Sequence, residues 1–158
     1  GKTVFACCGT AEGEELGAQI AVDMLEAAGF QVTFGGGGIP ADEVLAHVQE
    51  NQPSYLVMFC SAASDLPGVR SLVDQLKEIN ACQKTQIAVG GGVFNRAEGL
   101  ADEIGARLHA GSPLELVSLL VNPEQFLSLR REREQQEQVR AIQARAEARA
   151  AMKKRRAA

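Results

Sequence analysis

The sequence predicts an α/β fold: a doubly wound, five-stranded parallel sheet in the order 2-1-3-4-5, followed by a long C-terminal helix. Three observations carry this expectation. Short apolar runs alternate five times with stretches whose apolar residues recur every three to four positions; glycine clusters close several of the runs; and no Gly or Pro occurs from Glu124 onward. Parallel neighbours need right-handed crossovers, and the intervening helices supply them.

Taken in order, Val4 to Cys8 reads as a short buried strand, and the helix from Glu14 to Ala28 carries Leu16, Ile20, Met24 and Ala27 on an amphipathic stripe before Gly29 ends it. Phe30 to Phe34 is a second strand, closed by Gly35 to Gly38. Pro40 opens a helix with Val44, Leu45 and Val48 inward, and Asn51-Gln52-Pro53 stops it. Tyr55 to Cys60, apolar on both faces, suits a central parallel strand. A loop from Ser61 to Pro67 leads to a helix over Gly68 to Asn80, with Val69, Leu72, Val73, Leu76 and Ile79 on one stripe. Thr85 to Val89 is the fourth strand, followed by Gly90-Gly91-Gly92. A helix from about Arg96 to Ile104, a strand over Ala106 to Ala110 and a helix over Pro113 to Val121 complete the pattern.

The chain of 158 residues has a net charge of −4, and the charge is unevenly spread. Residues 1 to 123 hold fifteen acids and six bases; residues 124 to 158 hold five acids and ten bases. The expected organisation is an acidic α/β domain over residues 1–122 and a basic helical extension over 123–158. No apolar run approaches the roughly 20 residues of a membrane span, and no signal peptide is visible, so a cytoplasmic location is expected. Cys7, Cys8, Cys60 and Cys82 lack metal-ligand spacing and read as reduced thiols at strand ends, with no metal site.

The strand order puts the switch point between the first and third strands, where ligands of open parallel sheets bind. The loops Gly9 to Leu16 and Ser61 to Leu66 then flank a crevice, with the clusters Gly35 to Gly38 and Gly90 to Gly92 on the same edge. Such clusters serve either tight turns or the close approach of a guest.

Several pieces of this pattern resemble the cobalamin (vitamin B12) binding domains of corrinoid-dependent mutases, methionine synthase, corrinoid carriers and B12-sensing regulators. The likeness covers about residues 2 to 121. It runs through Leu16-Gly17-Ala18-Gln19-Ile20, Ala27-Ala28-Gly29-Phe30, Gly36-Gly37-Gly38-Ile39-Pro40, Gln52-Pro53 and Val89-Gly90-Gly91, and is nearest the regulators in Gly90-Gly91-Gly92-Val93-Phe94-Asn95. The resemblance implies cobalamin as cofactor and a site built from Glu12, Gly13, Glu14, Gly17, Ser61, Ala62, Gly90, Gly91 and Gly92. One departure stands out. The family's first loop carries Asp-x-His-x-x-Gly, with the His beneath cobalt, and here Glu14 takes that position. A carboxylate is a harder ligand than imidazole, so a corrinoid is expected to bind without a His lower ligand. His47, in mid-helix, and His109, in the fifth strand, stand away from the crevice.

Rival readings fit less well. A receiver domain needs acids at the first strand's end, where Cys7-Cys8 stand. A flavodoxin needs a hydroxyl-rich phosphate loop, whereas Glu12, Glu14 and Glu15 here repel phosphate. No catalytic residue is assigned, because Glu14 and Glu15 point to different sides of a helix and no base is placed beside Cys8 or Cys60.

From Glu124 to Arg156 the chain is rich in strong helix formers. Phe126 and Leu129 are expected to pack on the domain, and Val139, Ile142 and Ala146 to form a thin seam. Lys153-Lys154-Arg155-Arg156 suits an acidic partner, nucleic acid or a membrane surface, though no helix-turn-helix precedes it; the plainer and preferred reading is a solvated tail, or a linker helix that docks on an acidic patch of its own domain or of a sister copy. The expected partner is a protein or neighbouring domain met through this helix, with a homo-oligomer as a further possibility. The functional expectation is a corrinoid-binding sensory or regulatory module. The alternatives are a scaffold that has lost the cofactor, and a corrinoid carrier subunit of a mutase or methyltransferase.

Overall fold

The computed structural model describes residues 1–9, 14–79 and 83–157, and divides the chain into two units, Gly1–Val121 and Asn122–Ala158. The first unit contains β1 (Thr3–Cys8), α1 (Glu14–Ala27), β2 (Gln31–Gly37), α2 (Ala41–Asn51), β3 (Tyr55–Phe59), α3 (Leu66–Ile79), β4 (Gln86–Gly90), α4 (Gly92–Arg96), α5 (Leu100–Glu103), β5 (Leu108–Ala110) and α6 (Pro113–Val121). The second is α7 (Pro123–Ala157). The five strands pair in parallel in the order β2-β1-β3-β4-β5, as the sequence predicts.

The sheet is ordered by burial. All five residues of the central β3 are buried, whereas the edge strand β2 alternates between exposed and half-buried positions. On one face of the sheet Phe5, Cys7, Leu56, Met58 and Val89 pack with Val44 and Val48 of α2 and Leu72, Val73 and Leu76 of α3. On the other, α1 and α6 pack together. The N-terminal edge is tied down by Tyr55, 2% exposed, whose hydroxyl donates to the Leu120 carbonyl at 3.2 Å and accepts from Lys2 Nζ at 3.3 Å. Thr3 and Ser54 exchange backbone-to-hydroxyl bonds of 3.3 and 3.2 Å, fixing the register of β1 against β3.

Four expectations are corrected by the structure. The glycines after Phe34 do not form a turn as a group: β2 continues through Gly37, which pairs with Cys8 beyond a register shift in β1. In α1 the buried face is Ala18, Ala21, Val22 and Leu25, and Leu16 and Ile20 are 70% and 48% exposed. The inner face has two alanines with Val22 and Leu25, and hydropathy spacing favours the larger outer residues instead. The helix expected over Arg96 to Ile104 is two short helices, because Ala97 is extended and Gly99 takes φ +78°. Finally, α3 begins at Leu66, after a 3-10 turn at Ala63–Asp65, and β5 begins only at Leu108. The expected helix end at Asn80 and the thiol of Cys82 lie outside the described residues.

In the second unit, Asn122 caps α7: its Oδ1 accepts from the Gln125 amide at 3.2 Å, and Pro123 occupies the first helical position. None of the 35 residues of α7 is buried, Leu129 being 46% exposed, and Arg130 lies over the Phe126 ring at 4.8 Å. No helix among the described residues is long and apolar enough to cross a membrane.

Truncating Leu56, fully buried in the middle of β3, to alanine is expected to lower the unfolding free energy by about 2–5 kcal/mol. Tyr55→Phe removes the hydroxyl's bonds to the Leu120 carbonyl and from Lys2 Nζ and is expected to cost about 1–2 kcal/mol. Urea unfolding followed by circular dichroism measures both.

Candidate functional site

The carboxyl ends of β1, β3, β4 and β5 converge on one edge, and a cavity of about 270 Å³ opens there between the sheet and the α1–α6 layer. Its walls are Glu14, Gly17 and Ala18 of α1, Phe59 at the end of β3 and Ser61 beyond it, Gly90 at the end of β4 with Gly91 and Gly92 beyond it, Asn95, and Ala110 to Pro113 with Leu116 of α6. The lining is mostly small or apolar, with hydroxyls at Ser61 and Ser112 and one buried carboxylate, Glu14, at 8% exposure.

The rim is fastened by the chain itself. Arg96 Nη2 donates to the Ser61 carbonyl at 2.6 Å, and Asn95 Nδ2 donates to the Gly111 carbonyl at 3.0 Å. Ser112 caps α6 by accepting from the Glu115 amide at 3.2 Å, while Glu115 Oε2 accepts from the Gly111 amide at 2.8 Å. This is close to a capping box, whose Ser-x-x-Glu signature stands in the sequence as Ser112-Pro113-Leu114-Glu115.

The glycines of the edge serve two different purposes. Gly91 has φ +112°, and a Cβ there would run into the Cys60 backbone. Its lack of a side chain is therefore demanded by the crossing of two loops of the same chain. Gly17 is the opposite case: it sits inside α1, lines the cavity, and a Cβ on it would meet nothing within 4 Å. A glycine inside a helix costs roughly 1 kcal/mol relative to alanine, and here no part of the chain requires it. The space beside it is open to the cavity.

Beside this cavity, carboxylates crowd the end of β1. Asp65 presses against Gly9, and Glu14 Oε2 lies 2.7 Å from where a Gly9 Cβ would be. Glu15 Oε1 accepts from the Gly37 amide at 3.2 Å. Cys7, Cys8 and Cys60 are buried free thiols here. Burial, followed by the neighbouring Cys8, pushes Cys7 up to about 12. Burial, followed by Glu14, Glu15 and Asp65, pushes Cys8 up to about 11. Burial, followed by Glu14 and Asp65, pushes Cys60 up to about 12. These thiols are poor nucleophiles and poor metal ligands at neutral pH. Among the described residues no group of three or more His, Cys, Asp or Glu is placed to hold a metal ion.

Of the residues singled out from the sequence, Glu14, Gly17, Ser61, Gly90, Gly91 and Gly92 come together around the cavity. Ala62 does not line it, and Glu12 and Gly13 lie outside the described residues. Sequence reasoning missed Phe59, Asn95, Gly111, Ser112 and Leu116, of which the Ser112 cap was legible. His47 stacks on Phe5 with ring centroids 4.0 Å apart, a packing role on the α2 side, and His109 is half-buried in β5. A larger cavity of about 390 Å³, lined by Leu76, Lys77, Thr85 and Arg107 among others, opens where β4 begins, at the wrong end of a parallel sheet for a ligand site.

This architecture defines a doubly wound domain with a cavity on the carboxyl edge of its sheet. The chain belongs to the B12 binding domain family, whose pattern matches residues 2–114. It is 30% identical over 112 residues to dimethylamine corrinoid protein 3 of Methanosarcina mazei, a match covering 70% of this chain and 66% of that one. The chain spans about half to two thirds of the length of the curated relatives it matches. Its fold is shared with a cobalamin-binding protein from Desulfitobacterium hafniense, with a TM-score of 0.70 at 20% identity over 79% of this chain and 58% of that one. It is also shared with a methanol:cobalamin methyltransferase complex from Methanosarcina barkeri, with a TM-score of 0.60 at 24% identity over 75% of this chain and 46% of that one.

Cobalamin is thus the cofactor of the family, and the residues present meet it in part. The open space over Gly17, the apolar walls of Phe59 and Leu116 and the hydroxyls of Ser61 and Ser112 suit the nucleotide tail. The position of Glu14 supplies a carboxylate and no imidazole.

The raised thiol values set a pH dependence. Below the ordinary value of 9.0 the thiols are protonated in both folded and unfolded chains. Above it the unfolded chain ionises first, so their contribution to stability is lost as pH rises from 9.0 toward about 12. Denaturation midpoints at pH 7 and pH 10 (roughly one pH unit above the ordinary thiol value) are expected to differ in that sense, and less so in the Cys7→Ala/Cys60→Ala variant.

Proposed function

We propose that the domain holds a corrinoid with its nucleotide tail in the crevice between α1, α6 and the ends of β4 and β5, and presents it to a protein partner as a carrier module. The observation that carries the reading is the unfilled space over Gly17 inside a walled cavity on the binding edge. The family match and the corrinoid proteins among the relatives support it, and they favour a carrier over the sensory module expected from the sequence. The likeness to a methyltransferase complex supports a protein partner.

When bound, cobalamin supplies a cobalt centre able to carry an alkyl group. The chain's own contribution is to bind and orient. Gly17 and Ala18 leave the tail its passage, Phe59 and Leu116 give it apolar contact, and Ser61 and Ser112 offer hydrogen bonds to its polar atoms. Glu14 places a carboxylate at the position where the family's motif carries histidine, and it would offer a bound corrinoid a harder oxygen donor in place of imidazole. That same substitution favours the second reading, a scaffold without cofactor.

Titration with hydroxo-, methyl- and adenosylcobalamin, followed by gel filtration, separates the two. The full chain is expected to retain a corrinoid, with a visible spectrum showing the benzimidazole displaced from cobalt. Gly17→Leu, which fills the crevice while improving a helix position, is expected to abolish retention without loss of fold. Failure of the unmodified chain to retain any corrinoid overturns the carrier reading and leaves the scaffold.

A further inference from the structure

The largest uncovered apolar side chains of the molecule fall mainly on two surfaces of opposite charge. The first is the α1–α6 layer, where Leu16, Ile20, Leu114 and Val121 are 70%, 48%, 66% and 55% exposed. These two helices pack beside each other and carry five acids, Glu14, Glu15, Asp23, Glu26 and Glu115, without a single Lys or Arg. The second is the distal half of α7, where Val139, Ile142 and Met152 are 53%, 66% and 67% exposed. From Val139 to Ala157 this half carries seven bases against the one acid Glu147. Arg145, Arg149, Lys153 and Arg156 follow one another at spacings of four, four and three, which sets them along one stripe of the helix.

We propose that the α1–α6 face of one copy of this chain is the docking surface for the basic half of α7 from a second copy. Apolar residues then meet apolar residues, and Asp23 and Glu26 meet the arginines of the stripe. The lengths agree: α1 spans about 21 Å and the basic half of α7 about 28 Å. The choice of a second copy rests on charge complementarity: residues 1 to 123 hold fifteen acids against six bases and residues 124 to 158 ten bases against five acids, so each copy carries both halves of the contact. A reciprocal exchange also satisfies two-fold symmetry, in which each copy gives one helix and receives one, doubling the contact. A lipid surface fits α7 less well, because its polar side is broken by Glu147 and its apolar side lacks the broad band of bulky residues that such helices bury. The inference is independent of whether the crevice holds a corrinoid.

Sedimentation equilibrium of the full chain across a concentration series, at low and at high salt, tests it. The expected result is a dimer that weakens as salt rises. Asp23→Lys/Glu26→Lys on the acidic face and Arg145→Glu/Arg149→Glu on the helix are each expected to weaken association about tenfold or more. All four positions are exposed, so circular dichroism should remain unchanged. An equimolar mixture of the two reversed chains, or one chain carrying both reversals, is expected to recover association, since the opposite charges face each other again. A monomer at every concentration overturns the proposal. So does a dimer indifferent to the α1 substitutions, which would be held by α7 against α7.

Discussion

The close crossing of the loops after β3 and β4 is the constraint on which the binding edge depends. The Cys60 amide donates to the Gly90 carbonyl at 2.9 Å, and the Cys60 carbonyl accepts from the Val93 amide at 3.4 Å. Between these two bonds the chain can pass only as glycine, with Gly91 in a region closed to other residues. The turn starts α4 at Gly92, and α4 in turn brings Arg96 to the Ser61 carbonyl and Asn95 to the Gly111 carbonyl. A crevice wall is thus the by-product of a backbone packing problem solved at one residue.

Much of the fold was legible because its strands are extreme in character. Tyr55 to Phe59 is apolar throughout and buried throughout, and the alternation of such runs with helices leaves few topologies open. The reading failed where size and hydropathy diverge. The face of α1 that meets the sheet is made of Ala18, Ala21, Val22 and Leu25, while Leu16 and Ile20 look outward. A rule that counts the bulkiest apolar residues turns the helix the wrong way. Likewise, the glycine cluster after β4 was visible as unusual, but the sequence does not say whether a glycine is kept for the chain's own sake, as at Gly91, or leaves space open, as at Gly17.

The candidate site was legible in part for a similar reason. Strand ends and a switch point locate a crevice from topology alone, and Glu14, Gly17, Ser61 and the glycines after β4 followed. The fifth strand's contribution did not follow, since Gly111 and Ser112 read as an ordinary helix start. Only in space does that start face Phe59 and Asn95. The carboxylates show the same limit. Glu14 and Asp65 lie far apart in sequence yet crowd one glycine, and they add to the burial that raises the thiol of Cys60.

The self-fastened rim has a thermodynamic meaning. Because Ser61, Gly111 and Ser112 are held by Arg96, Asn95 and Glu115 rather than by a guest, the crevice has little ordering left to do when a molecule enters. Most of the conformational entropy was already surrendered when the domain folded. Among the described residues the walls of the cleft are fixed by the chain's own bonds, so a guest entering it would be selected by shape.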